Sequence, residues 1–205
     1  TLTNNSTGAT SYAWDFGAGA TPATSTDQNP VGVVYSTAGT KTVTLVTTNI
    51  ATGCTATATS TININQSPTA TFTSNAPQCS TVPIDFTNTG STGGSWSYAW
   101  SFGLGANPPS SSAESPTGIV YGSSGTKTVT LTVSGNGCTQ TVTQSIVINS
   151  TPSASFISNA PQCTGLPVNF GNTGTIAGVS WAWNFGGGAT PATSIDENPV
   201  GVVYA

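Results

Sequence analysis

Tyr98-Ala99-Trp100-Ser101-Phe102-Gly103 is the stretch that decides the fold. Its three aromatic residues alternate, so on an extended chain they share one face. The pattern also stands at Tyr12-Ala13-Trp14-Asp15-Phe16-Gly17 and at Trp181-Ala182-Trp183-Asn184-Phe185-Gly186. A second block travels with it: Asn29-Pro30-Val31-Gly32-Val33-Val34-Tyr35 returns as Ser115-Pro116-Thr117-Gly118-Ile119-Val120-Tyr121 and as Asn198-Pro199-Val200-Gly201-Val202-Val203-Tyr204. Gly39-Thr40-Lys41-Thr42-Val43-Thr44-Leu45 is identical to residues 125–131, and Asn75-Ala76-Pro77-Gln78-Cys79 is identical to residues 159–163. The period is about 84 residues, the mark of a tandem array.

The period predicts three repeats. Residues 1–66 form the first, which lacks its opening segment because Leu2 aligns with Phe86; 67–150 form a whole second; 151–205 form a third without its last two strands. Short joins at Ser67-Pro68 and Thr151-Pro152 imply domains stacked end to end. Inside a repeat, short alternating runs are separated by Gly, Pro, Asn and Ser clusters, the pattern of an all-β sandwich. In Thr128-Val129-Thr130-Leu131-Thr132-Val133 the aliphatic residues take one face and the threonines the other. A tight Gly135-Asn136-Gly137 turn then leads into a strand over 141–149. No window has a helical period with caps, so helix content near zero is expected.

Composition narrows the function. Only 4% of the 205 residues are charged, with two lysines, no arginine and no histidine, which leaves no electrostatic footprint for nucleic acid or an anionic membrane. No apolar run approaches the roughly 20 residues of a membrane span, so no membrane insertion is expected. Four cysteines at recurring positions in a Thr-rich β chain fit an oxidising compartment, and an extracellular, surface or secreted location follows.

Aromatic-x-Trp-x-Phe-Gly, then Asn-Pro and a Tyr, then Gly-Thr-x-Thr-Val-Thr-Leu resembles the polycystic-kidney-disease (PKD) repeat. Its usual form reads Trp-Asp-Phe-Gly-Asp-Gly, Asn-Pro-x-His-x-Tyr and Gly-x-Tyr-x-Val-x-Leu-Thr-Val. The resemblance extends over the chain in three phases. It implies tandem immunoglobulin-like sandwiches from a longer, bacterial cell-surface protein, used as spacers, adhesive stalks or accessory modules of secreted enzymes. The chain departs from the family where Asp-Gly is expected: Ala18-Gly19, Leu104-Gly105 and Gly187-Gly188 stand there instead. Asp15 keeps the first family aspartate, but Ser101 and Asn184 replace it in the other repeats. Asp15 and Asp27 alone make a poor calcium site, because a hard cation wants several oxygens. No cofactor or metal is expected.

The aromatic rows Trp14, Phe16 and Tyr35; Trp100, Phe102 and Tyr121; and Trp183, Phe185 and Tyr204 read first as core. The competing reading is a sugar-binding platform. Asp27, Glu114 and Asp196-Glu197 recur at one loop position and are expected to face solvent or to pair with Lys41 or Lys127. Catalysis would need a second convergent group and a cleft, and none can be read, so the chain is not expected to be an enzyme.

Cys54, Cys79, Cys138 and Cys163 are disulfide candidates. Pairing Cys79 with Cys138 is the simplest scheme. In immunoglobulin topology, however, those positions lie at opposite ends of the sandwich, roughly 20 Å or more apart, against the about 7 Å that a disulfide tolerates. A staple between adjacent repeats fits better; inter-chain pairing and free thiols remain alternatives. Asn4, Asn5, Asn65 and Asn149 each begin an Asn-x-Ser/Thr acceptor pattern, which chance also produces in so Asn-, Ser- and Thr-rich a chain.

These readings favour a structural repeat array, a stalk, adhesin or self-assembling filament, whose partners are adjacent repeats, neighbouring chains and glycans. The alternative is a carbohydrate- or protein-binding accessory module of a large secreted protein. A typical soluble domain is about 25% charged and guards its sheet edges with lysine; this chain does neither, which suits lateral packing.

Overall fold

The computed structural model describes residues 3–175 and 177–205; Leu2, the counterpart of Phe86, lies outside them. The described residues form strands, turns and loops and contain no helix. The chain divides into two compact units, one of Thr1–Gly122 with Thr126–Ile148, the other of Ser123–Gly125 with Asn149–Ala205.

The second repeat is the fullest. Its Trp strand, Ser97–Ser101, lies between Ser110–Ser111 and the long Gly125–Gly135, with Trp100 opposite Leu131 and Tyr98 opposite Val133. The order across this sheet is Ser110–Ser111, Ser97–Ser101, Gly125–Gly135, Cys138–Asn149, Gln78–Cys79. The facing layer is built from Phe72–Ser74 paired antiparallel with Phe86–Asn88, and an Ile84–Ile119 bridge. Because side chains alternate along a strand, each layer sends every second residue inward. Phe72, Ile84 and Phe86 from one layer thus meet Trp100, Phe102, Val129, Leu131 and Val133 from the other in one buried cluster. Burying each such side chain stabilises by about 1.5–3 kcal/mol, the main favourable term for so uncharged a domain.

The turn chemistry agrees with the sequence. Asn136 and Gly137 both have positive φ, 53° and 74°, the conformation of a two-residue hairpin turn that matches the strand twist. On the outer face of this hairpin the threonines hydrogen-bond across the strands, Thr130 to Thr143 at 3.1 Å and Thr132 to Thr141 at 3.0 Å. Such cross-strand pairs bind the sheet where other proteins place charges.

The first repeat shows the same sheet in the order Thr24–Ser25, Ser11–Asp15, Gly39–Thr48, Thr55–Ile64 over a smaller core of Trp14, Phe16, Val43 and Leu45. Its hairpin is wider than that of the second repeat: Asn49 donates to the Cys54 carbonyl and Gly53 back to Asn49. At the join, Asn65 Nδ2 donates to the Asn136 carbonyl at 2.7 Å, so the hairpin tip of the second repeat touches the end of the first.

In the second unit Phe156–Ser158 pairs with Phe170–Asn172, Trp183–Asn184 with Thr193–Ser194, and Val202–Tyr204 lies between Pro167–Val168 and Ala189–Thr190.

Candidate functional site

The aromatic rows repeat in atomic detail. Each Trp indole N–H reaches a loop carbonyl thirteen residues on: Trp14 to Asp27 at 3.0 Å, Trp100 to Ala113 at 2.9 Å, Trp183 to Asp196 at 2.8 Å. Each Tyr hydroxyl donates to the Phe carbonyl: Tyr35 to Phe16 at 2.8 Å, Tyr121 to Phe102 at 2.6 Å, Tyr204 to Phe185 at 3.1 Å. The polar tips are thereby satisfied within the domain, as buried Trp and Tyr require. Burial pushes the Tyr121 phenol up to about 12. Tyr35 also titrates above its ordinary value, through burial and the nearby Asp15 carboxylate.

Core status is complete for only part of the row. Trp14, Phe16, Trp100, Phe102 and Tyr121 are buried, but Tyr35, Trp183, Phe185 and Tyr204 are half-buried. Trp181 occupies the position held by Tyr98 and Tyr12. Tyr98 donates to Ser91 O, whereas the Trp181 N–H is buried with no acceptor.

Asp27 and Asp196 cap their own loops, and Glu114 caps the loop at Gly93. Asp27 Oδ2 accepts from Ser25 Oγ at 3.1 Å, Asp196 Oδ2 from Ser194 Oγ at 2.9 Å, and Glu114 Oε2 from Gly93 N at 3.3 Å. Lys41, offered as a partner should the acid not face solvent, lies 6.0 Å over the Tyr35 ring and donates to Thr37 Oγ1 at 2.8 Å; Lys127 lies 5.7 Å over Tyr121. At Lys41 the aromatic face and a nearby hydroxyl hold the ammonium. Asp15 Oδ1 caps the Phe-Gly turn by accepting from Gly17 N at 2.8 Å, and Asn184 does the same for Gly186 at 3.0 Å. Among the described residues no three His, Cys, Asp or Glu side chains converge on a metal-sized site.

No disulfide joins the four cysteines among the described residues; Cys54 and Cys163 are exposed, and Cys79 and Cys138 are half-buried. Pairing Cys79 with Cys138 is blocked by the hairpin. Thr81, two residues beyond Cys79, donates to the carbonyl of Tyr121, which leads into the start of Gly125–Gly135. Cys138 follows that strand's far end, roughly 30 Å away at about 3.3 Å per residue.

The profile of the PKD domain matches residues 1–64 and 65–148. The chain belongs to the PKD family. No curated protein matches it. Among solved structures it is similar to the N-terminal four Ig domains of Dscam1 isoform 6.44, at 14% identity and a TM-score of 0.26, over 96% of this chain and 57% of that one. It therefore spans a little over half the length of that structure. PKD and Ig-like domains are typical of extracellular or surface proteins and are typically non-catalytic.

In this PKD chain the acceptor asparagines differ in availability. At Asn4 the amide nitrogen is buried without a partner, and the Oδ1 accepts from Ser6 N at 2.8 Å. Asn65 is exposed, but its amide nitrogen is engaged with Asn136. Asn5 and Asn149 are exposed.

Several structural residues escape a reading of motifs. Asn75 Oδ1 accepts from Asp85 N at 3.0 Å, and Asp85 Oδ1 from Gly118 N at 2.8 Å; Asn159, Asn169 and Gly201 repeat the relay at 2.8 and 2.9 Å. The identical Asn75–Cys79 and Asn159–Cys163 blocks were the signal for it. The bonds before Pro22, Pro77, Pro108, Pro161 and Pro191 are cis, again at recurring positions.

Proposed function

We propose that this chain is a structural extracellular repeat protein that forms a surface stalk, adhesin or self-assembling filament, with adjacent repeats and neighbouring chains as its partners. One observation carries the reading: Cys138–Asn149, the second strand of the long hairpin in the second repeat, is largely exposed and has no charged side chain. Thr55–Ile64, its counterpart in the first repeat, has none either. Soluble domains normally carry about 25% charged residues. An uncharged strand face of this kind suits packing on a neighbour. The Asn65–Asn136 contact supports end-to-end seating of the first two repeats. Exposed Asn5 and Asn149 suit a glycan coat.

The test is the assembly state of the purified chain, by light scattering and negative-stain imaging over a rising concentration series. Filaments or concentration-dependent oligomers are expected. Strict monomers at millimolar concentration would sink the reading.

A second reading is a carbohydrate- or protein-binding module, favoured by the half-exposed Trp181 and Trp183. The fully buried Trp100, with its N–H already satisfied, weighs against a platform common to all repeats.

A further inference from the structure

Asn136-Gly137 is the one Asn-Gly pair in the sequence. It forms the tip of the second repeat's long hairpin, with both residues exposed. Glycine has no Cβ, so its nitrogen can approach the preceding carboxamide with little hindrance. The first repeat has no such pair at its own hairpin tip, where Thr52-Gly53 precedes Cys54. The asparagine nearest that tip, Asn49, has its Oδ1 committed to Ala51 N at 3.1 Å and Thr52 N at 3.3 Å.

The end of the first repeat acts on this tip. Asn65 Nδ2 donates to the Asn136 main-chain carbonyl at 2.7 Å, and Asn63 Nδ2 donates to Asn65 Oδ1 at 3.2 Å. Two carboxamides thus stand in series, each polarised by the one behind it. The carbonyl they reach belongs to the same peptide group as the Gly137 N–H. When that N–H loses its proton, resonance shares the negative charge with the carbonyl oxygen. A donor placed on the oxygen therefore favours the anion.

We propose that Asn136-Gly137 is a self-modification site, where the chain converts its own Asn136 to aspartate or isoaspartate, and that Asn65 speeds the step by stabilising the Gly137 nitrogen as an anion. That nitrogen attacks Asn136 Cγ. The new N–Cγ bond closes an imide ring, the Cγ–Nδ2 bond breaks, and the amide leaves as ammonia. Water then opens the ring. Opening at Cγ gives aspartate in an unchanged backbone; opening at the main-chain carbonyl gives isoaspartate, with the chain running through Cβ and Cγ. The sum is a water taken up and an ammonia released, with no oxidant or cofactor. The attack needs the turn to open, which a hairpin tip does more readily than a strand interior. Either product puts a carboxylate on a tip without charged residues. Isoaspartate also lengthens a two-residue turn whose geometry matches the strand twist, and withdraws its carbonyl from Asn65. The contact between the first two repeats thus loosens with age, at a fixed place.

The test ages the 205-residue chain in mildly alkaline buffer and follows every asparagine by peptide mass mapping. Isoaspartate methyltransferase labelling reports the rearranged product, and hydroxylamine cleavage reports the imide. Asn136 should lose its amide before any other asparagine and give both products. Asn65→Ala and Asn65→Asp should slow the loss roughly tenfold, the worth of one hydrogen bond to an anion. Asn63→Ala should slow it less, and Asn65→Gln, which restores a donor, should recover part of the rate. Asn65 is exposed, so these changes leave both cores intact, which circular dichroism checks. Base-catalysed hydrogen exchange of the Gly137 N–H passes through the same anion, so it should slow in the same variants when followed by NMR. A donor that merely clamped the turn would do the reverse, and its loss would speed both processes. The proposal is overturned if another asparagine reacts first, if the Asn65 variants react as fast as the parent chain or faster, or if Gly137 exchange is unchanged in them.

Discussion

The second and third repeats hold the same rings at nearly the same angles, yet bury them very differently. Trp100 and Phe102 interplane at 19° and 6.0 Å, and so do Trp183 and Phe185, but Trp100 is 2% exposed and Trp183 is half-exposed. Ring geometry is therefore set by the local frame: alternation on the Trp strand, the Tyr-to-Phe hydrogen bond and the Phe strand opposite. Burial is set separately, by the long hairpin that covers the row in the second repeat. Local geometry and solvent exclusion are two layers of the fold, and the two repeats separate them.

The largest expected effect breaks that comparison at the tryptophan. Trp100→Ala should cost about 3–5 kcal/mol, because it opens a cavity in a closed core and orphans a loop carbonyl. Trp183→Ala should cost about half as much or less, because its site already meets water. Urea unfolding followed by circular dichroism checks both, and equal costs would refute the two-layer picture.

A smaller effect sharpens the comparison at the turn. Gly103 has φ 77°, and a Cβ there would lie 2.6 Å from the Thr128 carbonyl of the covering hairpin; Gly186 has φ 81° but open space around it. Gly103→Ala should cost about 2–3 kcal/mol from strain and clash, and Gly186→Ala about 1 kcal/mol from strain alone. Thermal denaturation of the two variants should rank them in that order.

The smallest effect is a pH dependence. The Tyr121 phenol, ordinarily near 10.0, is pushed up to about 12 by burial. Between those values the unfolded chain has released the proton and the folded chain has kept it, so stability falls as pH rises. Below pH 10 the group contributes no slope. Tyr121→Phe should flatten the alkaline limb of a plot of melting temperature against pH, and an unchanged limb would place the destabilisation elsewhere.

Much of this was legible in the sequence because it is periodic in sequence. The Trp and Phe positions, the Asn136-Gly137 turn and the alternation of Gly125–Gly135 each follow from spacing and turn chemistry alone. Half-burial of Tyr35, Trp183, Phe185 and Tyr204 was not legible, because it depends on which strands cover the row and not on the row itself. The Lys41 contact was not legible for a related reason. A charge invites pairing with an opposite charge, but Lys41 sits where the tyrosine face and Thr37 are closer to hand. The burial of the Asn4 amide nitrogen was likewise not legible, since it comes from tertiary packing and not from the three-residue pattern.

The identical heptads at 39–45 and 125–131 set the chain a problem of accuracy while it folds. Leu45 lies opposite Trp14 and Leu131 opposite Trp100, each pair separated by about thirty residues of chain. Nothing in the heptad itself tells a nascent Trp strand which copy is its own. Bringing Leu131 to Trp14 instead would close a loop nearly four times longer, a handicap of only about 1 kcal/mol. Equilibrium thus discriminates weakly between correct and crossed pairings. The stronger safeguard is temporal: the first repeat's own hairpin leaves the ribosome long before its double exists, and by then Trp14 is taken.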